Sequence, residues 1–419
     1  MRTLYTLLVT LAIPFILMRL VWRSLRTPDY RKRIAERFGF FTPPEHAGGI
    51  WIHAVSVGET QAIEPLVRRL IKQFPQLPIT VTTTTPTGSD RVRALFGDQV
   101  FHVYFPYDIP FALNRFIQAI QPRLLVMVET EIWPNLLAMA HQRGVHSLLA
   151  NARMSERSAR GYARFSRFTK EVFGNIDQIA VQNENDAERF RQLGVSDNKI
   201  YITGSIKFDI TLPASLQERA EHLKLGWAGR PVWVAASTHE GEEEQVIAAH
   251  RMLLQSRPDA LLVLAPRHPE RFDRIAELCE KKGMKIVRRS FGQPVVADTR
   301  ILLADTMGEL TLFLAAADAA FVGGSLVERG GHNILEPAAC GIPVAFGPHT
   351  FNFALIARLL LKRDAATRVE NAAQLAECIT SWLSDASVRT QIGENGKLVV
   401  EENRGALERL YKLVEQKIG

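Results

Sequence analysis

Glu59 is the first residue whose position suits chemistry, in the run Ser56-Val57-Gly58-Glu59-Thr60. A β-rich segment, residues 50–55 (IWIHAV), runs straight into it, and an apolar periodicity at Ile63, Leu66, Val67, Leu70, Ile71 and Phe74 follows. Gly58 permits a tight turn and Glu59 falls at the start of the helix. A carboxylate there complements the helix dipole and accepts free N–H groups. The same place, past the end of a strand in a parallel sheet, is where ligands bind, which makes Glu59 a candidate general base. Both readings stand on the residues alone.

A second acidic pair, Glu129 and Glu131, closes the apolar run 124–128 in VETEIWPN. Two apart on a strand, they can share one face. Acids ending a buried strand are solvated, paired or functional. The plainer account has Glu131 or Thr130 capping a helix that begins at Pro134. The third constellation is the run Gly323 to Ala338, GGSLVERGGHNILEPA, which follows the apolar run 319–322. Its four glycines remove Cβ bulk, so main-chain N–H groups can approach an anion, and a helix starts near Asn333. Glu328 and Glu336 are eight apart, and Glu336 in the first turns of that helix can accept hydrogen bonds from ribose hydroxyls. The run is neither a Walker loop nor a GxGxxG fingerprint. Further polar islands end other strand-like runs. Arg267 in PRHPER (266–271) can pair with a phosphate. DTMGEL (305–310) reads as a capping segment whose N–H groups can hold phosphate or base, and the acids of STHEGE (237–242) read as first-turn helix stabilisers. HExxH, DxD and GxSxG are missing, so no metal site is expected.

Positioning these residues requires alternating strands and helices. Strand runs at 50–55, 79–84, 100–105, 124–128, 146–150, 178–182 and 199–203 alternate with helical periodicities, including an amphipathic segment 155–173. Residues 211–231 are polar and lack a sustained strand. The pattern then restarts with strand runs at 232–236, 260–265, 284–288, 300–304, 319–322 and 342–346, a helix at 241–255, and a helical stretch near 396–417. This predicts an α/β protein of two doubly wound Rossmann-like domains facing a cleft. The expected divisions are a membrane anchor at 1–25, domains at 26–210 and 211–395, and a C-terminal helix at 396–419.

The 419 residues are 47% hydrophobic and carry a net charge of +7, of which residues 1–50 account for +5. That basic excess flanks an uncharged run, residues 3–18. A spanning helix needs roughly 17–25 apolar residues, so the length is borderline. Trp22 with the following basic residues suits an uncleaved anchor or interfacial helix, with residues from 23 onward in the cytoplasm and segment 23–37 attracting anionic lipid; a cleaved signal peptide, for which no small-x-small site follows the run, and a buried helix are the rival readings. Three scattered cysteines, Cys279, Cys340 and Cys378, fit a reducing compartment.

Nine runs in order carry a resemblance to a known family: VSVGET (55–60), TTTTPTGS (82–89), VETEIWPN (128–135), TGSIKFD (203–209), STHEGEE (237–243), PRHPER (266–271), DTMGEL (305–310), GGSLVERGGHNILEPA (323–338) and GPHTFNF (347–353). Together they resemble the bacterial 3-deoxy-D-manno-octulosonic acid (Kdo) transferases of lipopolysaccharide biosynthesis. The resemblance implies a GT-B fold, an inner-membrane anchor with the catalytic domains on the cytoplasmic side, CMP-Kdo as donor, the lipid A precursor lipid IVA as acceptor, and no cofactor. It implies Glu59 as proton acceptor and CMP held by Pro266, Arg267, Met307, Gly308, Glu309, Asn333, Ile334, Leu335 and Glu336. It also implies acceptor-side support from the acid of VETEIWPN, Glu129 or Glu131, and from Lys207. Two other classes compete. A sugar-nucleotide epimerase of the same architecture would not need residues 1–22. A non-enzymatic membrane or nucleic-acid binder is disfavoured by the near-neutral body, and no nucleic-acid partner is expected.

Overall fold

The structure is a computed structural model describing all residues except Arg26 and Gly419. The chain divides into two compact units, residues 1–209 with 404–419, and residues 210–403.

Unit 1 is built on seven parallel strands: β1 (Ile50–His53), β2 (Ile79–Thr83), β3 (Phe101–Tyr104), β4 (Leu124–Val128), β5 (His146–Ala152), β6 (Gln178–Val181) and β7 (Ile200–Ile202), in the order β3-β2-β1-β4-β5-β6-β7. Register runs through Ile52↔Val81 and Ile52↔Val126. Alternate residues feed two cores. Trp51, Leu125, Leu149 and Ile179 face one side; Ile50, Ile52, Leu124, Val126 and Leu148 face the other. Strands buried on both faces read as continuous apolar runs, which is why the sequence shows them so plainly. The order reverses between β1 and β4, so their C-terminal ends mark the switch point where such sheets bind ligands.

Unit 2 repeats the plan with β8 (Val232–Thr238), β9 (Leu261–Pro266), β10 (Ile286–Arg288), β11 (Ile301–Leu303), β12 (Ala319–Val322), β13 (Val344–Phe346) and β14 (Ala366–Arg368). All are parallel, in the order β10-β11-β9-β8-β12-β13-β14, with the switch point between β8 and β12.

Four expected elements differ. The segment 155–173 is two helices, Glu156–Ala163 and Ser166–Gly174, because the Thr169 hydroxyl donates to the Tyr162 carbonyl at the break (2.7 Å). The connection 211–231 contains a helix, Leu216–Leu225, that buries only Leu216 and Ala220 and so leaves a weak apolar pattern. Strand β14 is three residues at a sheet edge. The stretch 396–417 is not one helix: Ala386–Glu402 ends, Gly405 turns at φ +91°, and Ala406–Ile418 packs into unit 1 through Leu410, Leu413 and Val414.

The N-terminal helix, Arg2–Ser24, runs unbroken through Pro14. It is long and apolar enough to cross a membrane. One side is docked: Val9, Ile13, Ile16 and Leu17 pack with Ile109, Ala112, Phe38 and Tyr107. The Tyr5 hydroxyl donates to Asp108 Oδ2 (2.8 Å) and the Thr6 hydroxyl to Asn135 Oδ1 (2.9 Å). The other side leaves Leu4, Leu7, Leu8, Leu11, Phe15 and Met18 exposed.

Candidate active site

In unit 1, Glu59 sits in the first turn of the helix Val57–Gln73, beyond β1. Ser56 caps that helix: its Oγ accepts from the Glu59 N–H (3.4 Å) and donates to Glu59 Oε1 (3.0 Å). The Val55 N–H donates to Glu59 Oε2 (2.7 Å). The arrangement is a capping box shifted by one residue, since the glutamate accepts the N–H of Val55, which precedes the cap, rather than that of Ser56. The carboxyl is half-buried, and burial pushes its pKa up to about 7, with Glu129 and Glu131 adding to the rise. The hydrogen bonds that finish the helix also fix the direction of the carboxyl, so the capping role leaves a candidate base held in place.

Glu129 and Glu131 lie past the end of β4, so strand alternation does not place them. Glu129 has a left-handed backbone, φ +61°. Its carboxylate pairs with Lys207 (3.2 Å) and Arg153 (3.3 Å). Asn151, fully buried at φ +55°, accepts the Ile206 N–H (3.2 Å) and so holds the turn that carries Lys207. Glu131 accepts from the Trp133 indole (3.0 Å), and burial raises its pKa, Glu129 adding to the effect. His53 Nε2 is 3.9 Å from Glu131, but burial holds that imidazole down to about 3, so it is neutral. Neither Glu131 nor Thr130 caps the helix Pro134–Gln142. Asp108 does, accepting from the Asn135 N–H (3.0 Å) and the Leu136 N–H (2.8 Å) across 27 residues of sequence.

In unit 2 the glycine-rich loop corrects a sequence expectation. The N–H groups of Gly324, Ser325 and Leu326 do converge on an anion, but it is Glu242 of the protein itself. Its Oε2 accepts from Gly324 (2.7 Å) and His239 (2.9 Å), and its Oε1 from Ser325 (3.0 Å) and Leu326 (2.9 Å). Glu242 and Glu243 are both fully buried, and Glu243 forms a two-pronged pair with Arg271 (2.7 and 3.0 Å). Glu242 is thus an interior strut at the N-cap, Glu243 opens the helix as the buried partner of Arg271, Glu240 is exposed and pairs with Arg274 (2.7 Å), and that part of the loop is closed to an external phosphate.

The remaining candidates sit at the C-terminal ends of β9, β11 and β12. Arg267 is half-buried, anchored through its N–H to the Thr238 carbonyl (3.0 Å), and its positive charge bears on Glu336 and His332. Pro266 is buried in β9, so it offers only backbone. In 305–310, Asp305 is tied to Arg288 (2.6 Å) and Ser290 (2.6 Å), while Glu309 holds Arg289 (2.8 and 3.2 Å) and the Thr306 hydroxyl (2.5 Å). Between them Gly308 turns at φ +85° and Met307 is exposed. The helix after the glycine-rich loop begins at Leu335. Asn333 caps it, accepting from the Leu335 N–H (3.1 Å) and donating to Glu336 Oε1 (2.9 Å). Ile334 and Leu335 bury their side chains, leaving backbone as their means of contact. Glu328 is exposed, while Glu336 is half-buried with its pKa raised by burial and lowered by Asn333 and Arg267.

Comparison with known proteins bears on both units. A family profile described as "3-Deoxy-D-manno-octulosonic-acid transferase (kdotransferase)" matches residues 32–210, and one described as "Glycosyl transferases group 1" matches 232–399. The chain is 44% identical to a 3-deoxy-D-manno-octulosonic acid transferase of Haemophilus influenzae, over 99% of this chain and 98% of that one. The chain belongs to the Kdo transferase family. A Bordetella pertussis Kdo transferase is 38% identical over 91% of this chain and 90% of its own. As a member of this family the chain is a glycosyltransferase of GT-B fold. Among solved structures, a UDP-GlcNAc 2-epimerase from Neisseria meningitidis aligns with TM-score 0.56 at 11% identity, over 88% of this chain and 99% of that one. That likeness is one of fold alone; transferases and epimerases share the scaffold, and the family membership decides between them. The residues of this Kdo transferase to which the sequence assigns no role are His53, Asp108, Asn151 and the histidines His239 and His332. The last two lie inside runs singled out for their acids and glycines.

Proposed function

We propose that the chain moves Kdo from CMP-Kdo to a hydroxyl of the lipid A precursor lipid IVA, releasing CMP, as a step of lipopolysaccharide biosynthesis. Glu59 takes the proton from the acceptor hydroxyl as it attacks the anomeric carbon, and attack opposite the leaving group inverts the configuration. The nucleotide is held in unit 2 by the side chains of Arg267 and Asn333, the backbone of Pro266, Ile334 and Leu335, the Met307–Gly308–Glu309 turn, and Glu336 toward the ribose hydroxyls. Lys207, tethered to Glu129, supports charge on the acceptor side, and Glu131 stands beside them.

The observation that carries this reading is the condition of Glu59, a carboxyl at the switch-point end of β1, fixed by two hydrogen bonds, with a pKa of about 7. A base so poised is half-ionised at neutral pH and strong enough to accept a proton. The test is turnover of CMP-Kdo and lipid IVA by the purified full chain, with products resolved by mass. Glu59→Gln is expected to lose at least ~10²-fold in rate while CMP still binds. Near-normal turnover by that variant would remove Glu59 from the mechanism, and failure to use either substrate would remove the substrate assignment.

We infer that the N-terminal helix anchors the enzyme at the inner membrane with the catalytic units on the cytoplasmic side, and that the exposed basic residues of segment 23–37, such as Arg23, Arg31 and Lys32, meet anionic headgroups. Its docked face supports an orientation along the membrane surface, exposed apolar side down, rather than across the bilayer.

A further inference from the structure

His239 and His332 come from opposite sides of the unit 2 switch point. His239 follows β8 and His332 ends the loop after β12. Their Nε2 atoms are 2.7 Å apart and the rings stack nearly parallel, 5° between planes. His268, after β9, packs edge-on to His239 at 5.2 Å. The fit depends on Gly324, at φ +67°, where a Cβ would come within 2.9 Å of the His332 ring. The pair thus occupies the crevice where a sheet of this kind receives its ligand, beside Arg267 and immediately before Asn333.

Two nitrogens 2.7 Å apart hold one proton between them. In the neutral pair one imidazole therefore donates through Nε2–H and leaves its Nδ1 bare. One further proton fits there; a second would put N–H against N–H and break the contact. Burial pushes His239 down to about 4 and His332 to about 3, their own proximity, His268 and the cations Arg267, Arg271 and Arg329 adding to the fall. The acids close by are committed elsewhere: Glu242 to four backbone N–H groups, Glu243 to Arg271 and Glu240 to Arg274. The pair is therefore neutral inside a positive field, and an arriving anion reverses the balance.

We propose that the His239–His332 pair receives the nucleotide's phosphate and takes up one proton as it arrives, becoming the cation that meets the charge left on the departing oxygen. The inference rests on the reading that unit 2 holds CMP. In the transfer, the bond from the Kdo anomeric carbon to the phosphate oxygen breaks and its electron pair stays on that oxygen. The acceptor oxygen bonds to the carbon, and its proton goes to Glu59. The phosphate passes from one negative charge to two, and the imidazolium, by donating a hydrogen bond to the new oxyanion, offsets the added charge.

The experiment is calorimetric titration of the full chain with CMP at pH 7 in two buffers of different ionisation heat, which counts protons exchanged per nucleotide bound. The wild type should take up between about half and one proton with CMP and none with cytidine, which lacks the phosphate. The nucleotide's own second phosphate ionisation, near ~6, would be driven toward release by Arg267, the opposite sign. His332→Gln and His239→Asn should each abolish the uptake and weaken CMP binding about tenfold or more. In kinetics, His332→Gln should remove the alkaline limb of the rate–pH profile and leave the acid limb belonging to Glu59, a change that a packing role does not produce. If the wild type binds CMP without proton uptake, or both variants keep it, the proposal fails while the donor site stands. If CMP does not bind the wild type, the donor site itself is wrong.

Discussion

Glu59 finishes a helix end with a carboxyl whose proton affinity is raised, and the combination has a measurable cost. Its pKa rises from 4.5 to about 7 on folding. Between those values the folded chain binds the proton more tightly than the unfolded chain, so this residue's contribution to stability declines as pH rises from about 4.5 to 7 and is level above. Glu59→Gln, which cannot ionise, should therefore gain on the wild type between pH 5 and pH 8, by about 2–3 kcal/mol at most, less about 1 kcal/mol for a weakened hydrogen bond. Thermal unfolding of both proteins across that range checks it; parallel curves would mean the carboxyl is not shifted. Turnover of the wild type should fall about tenfold per pH unit below 7, read from initial rates. Glu242 carries no such ambiguity. Glu242→Ala would strand several buried N–H groups, and a loss of roughly 3–5 kcal/mol is expected in denaturant unfolding. A loss under 1 kcal/mol would mean the glycine-rich loop closes without its internal anion.

At the scale of elements, the N-terminal helix is tied to the helix Pro134–Gln142 through Asp108. Tyr5 and two N–H groups of the helix Pro134–Gln142 meet on that one buried carboxylate, whose pKa is raised by burial. Asp108→Ala should cost about 2–4 kcal/mol, read from chemical unfolding, because it uncaps one helix and releases the other. The docking also separates a helix lying on the membrane from one crossing it. Fluorophores placed at Leu4, Leu11 and Met18, all on the exposed side, should be quenched by spin-labelled lipids at one shallow depth. A depth that increases steadily along the helix would mean a spanning segment, and would require Tyr5 to leave Asp108.

At the scale of the molecule, unit 1 is not closed by its own first 209 residues. The last helix returns to it, and Asp209 fastens the return by accepting the N–H groups of Gly405 (2.7 Å) and Leu407 (2.6 Å). Arg409 adds a bond to the Thr203 carbonyl (2.7 Å). Removing residues 404–419 should expose the apolar surface around Ile63, Leu66 and Leu70 and destabilise unit 1 selectively. Calorimetry should then show the unit 1 transition lowered and the unit 2 transition unmoved; a shift of both together would mean the units melt as one.

Both sheets, the order of their strands' appearance and the helix bearing Glu59 were legible in the chain because doubly buried strands and one-sided helices leave periodic apolar patterns. So were the polar runs that follow the strands, since glycine, arginine and acids cluster where strands end. What those runs do to one another was not legible. Glu242 meets Gly324 across 82 residues and His239 meets His332 across 93, and no local pattern records either contact. The glycine-rich loop read as a cradle for a ligand's anion and proved to hold the protein's own. The C-terminal stretch read as one separate helix, and its last part, Ala406–Ile418, packs into the first core. Such pairings are chosen by which strand ends lie side by side at a switch point, and only the folded sheet brings those ends together.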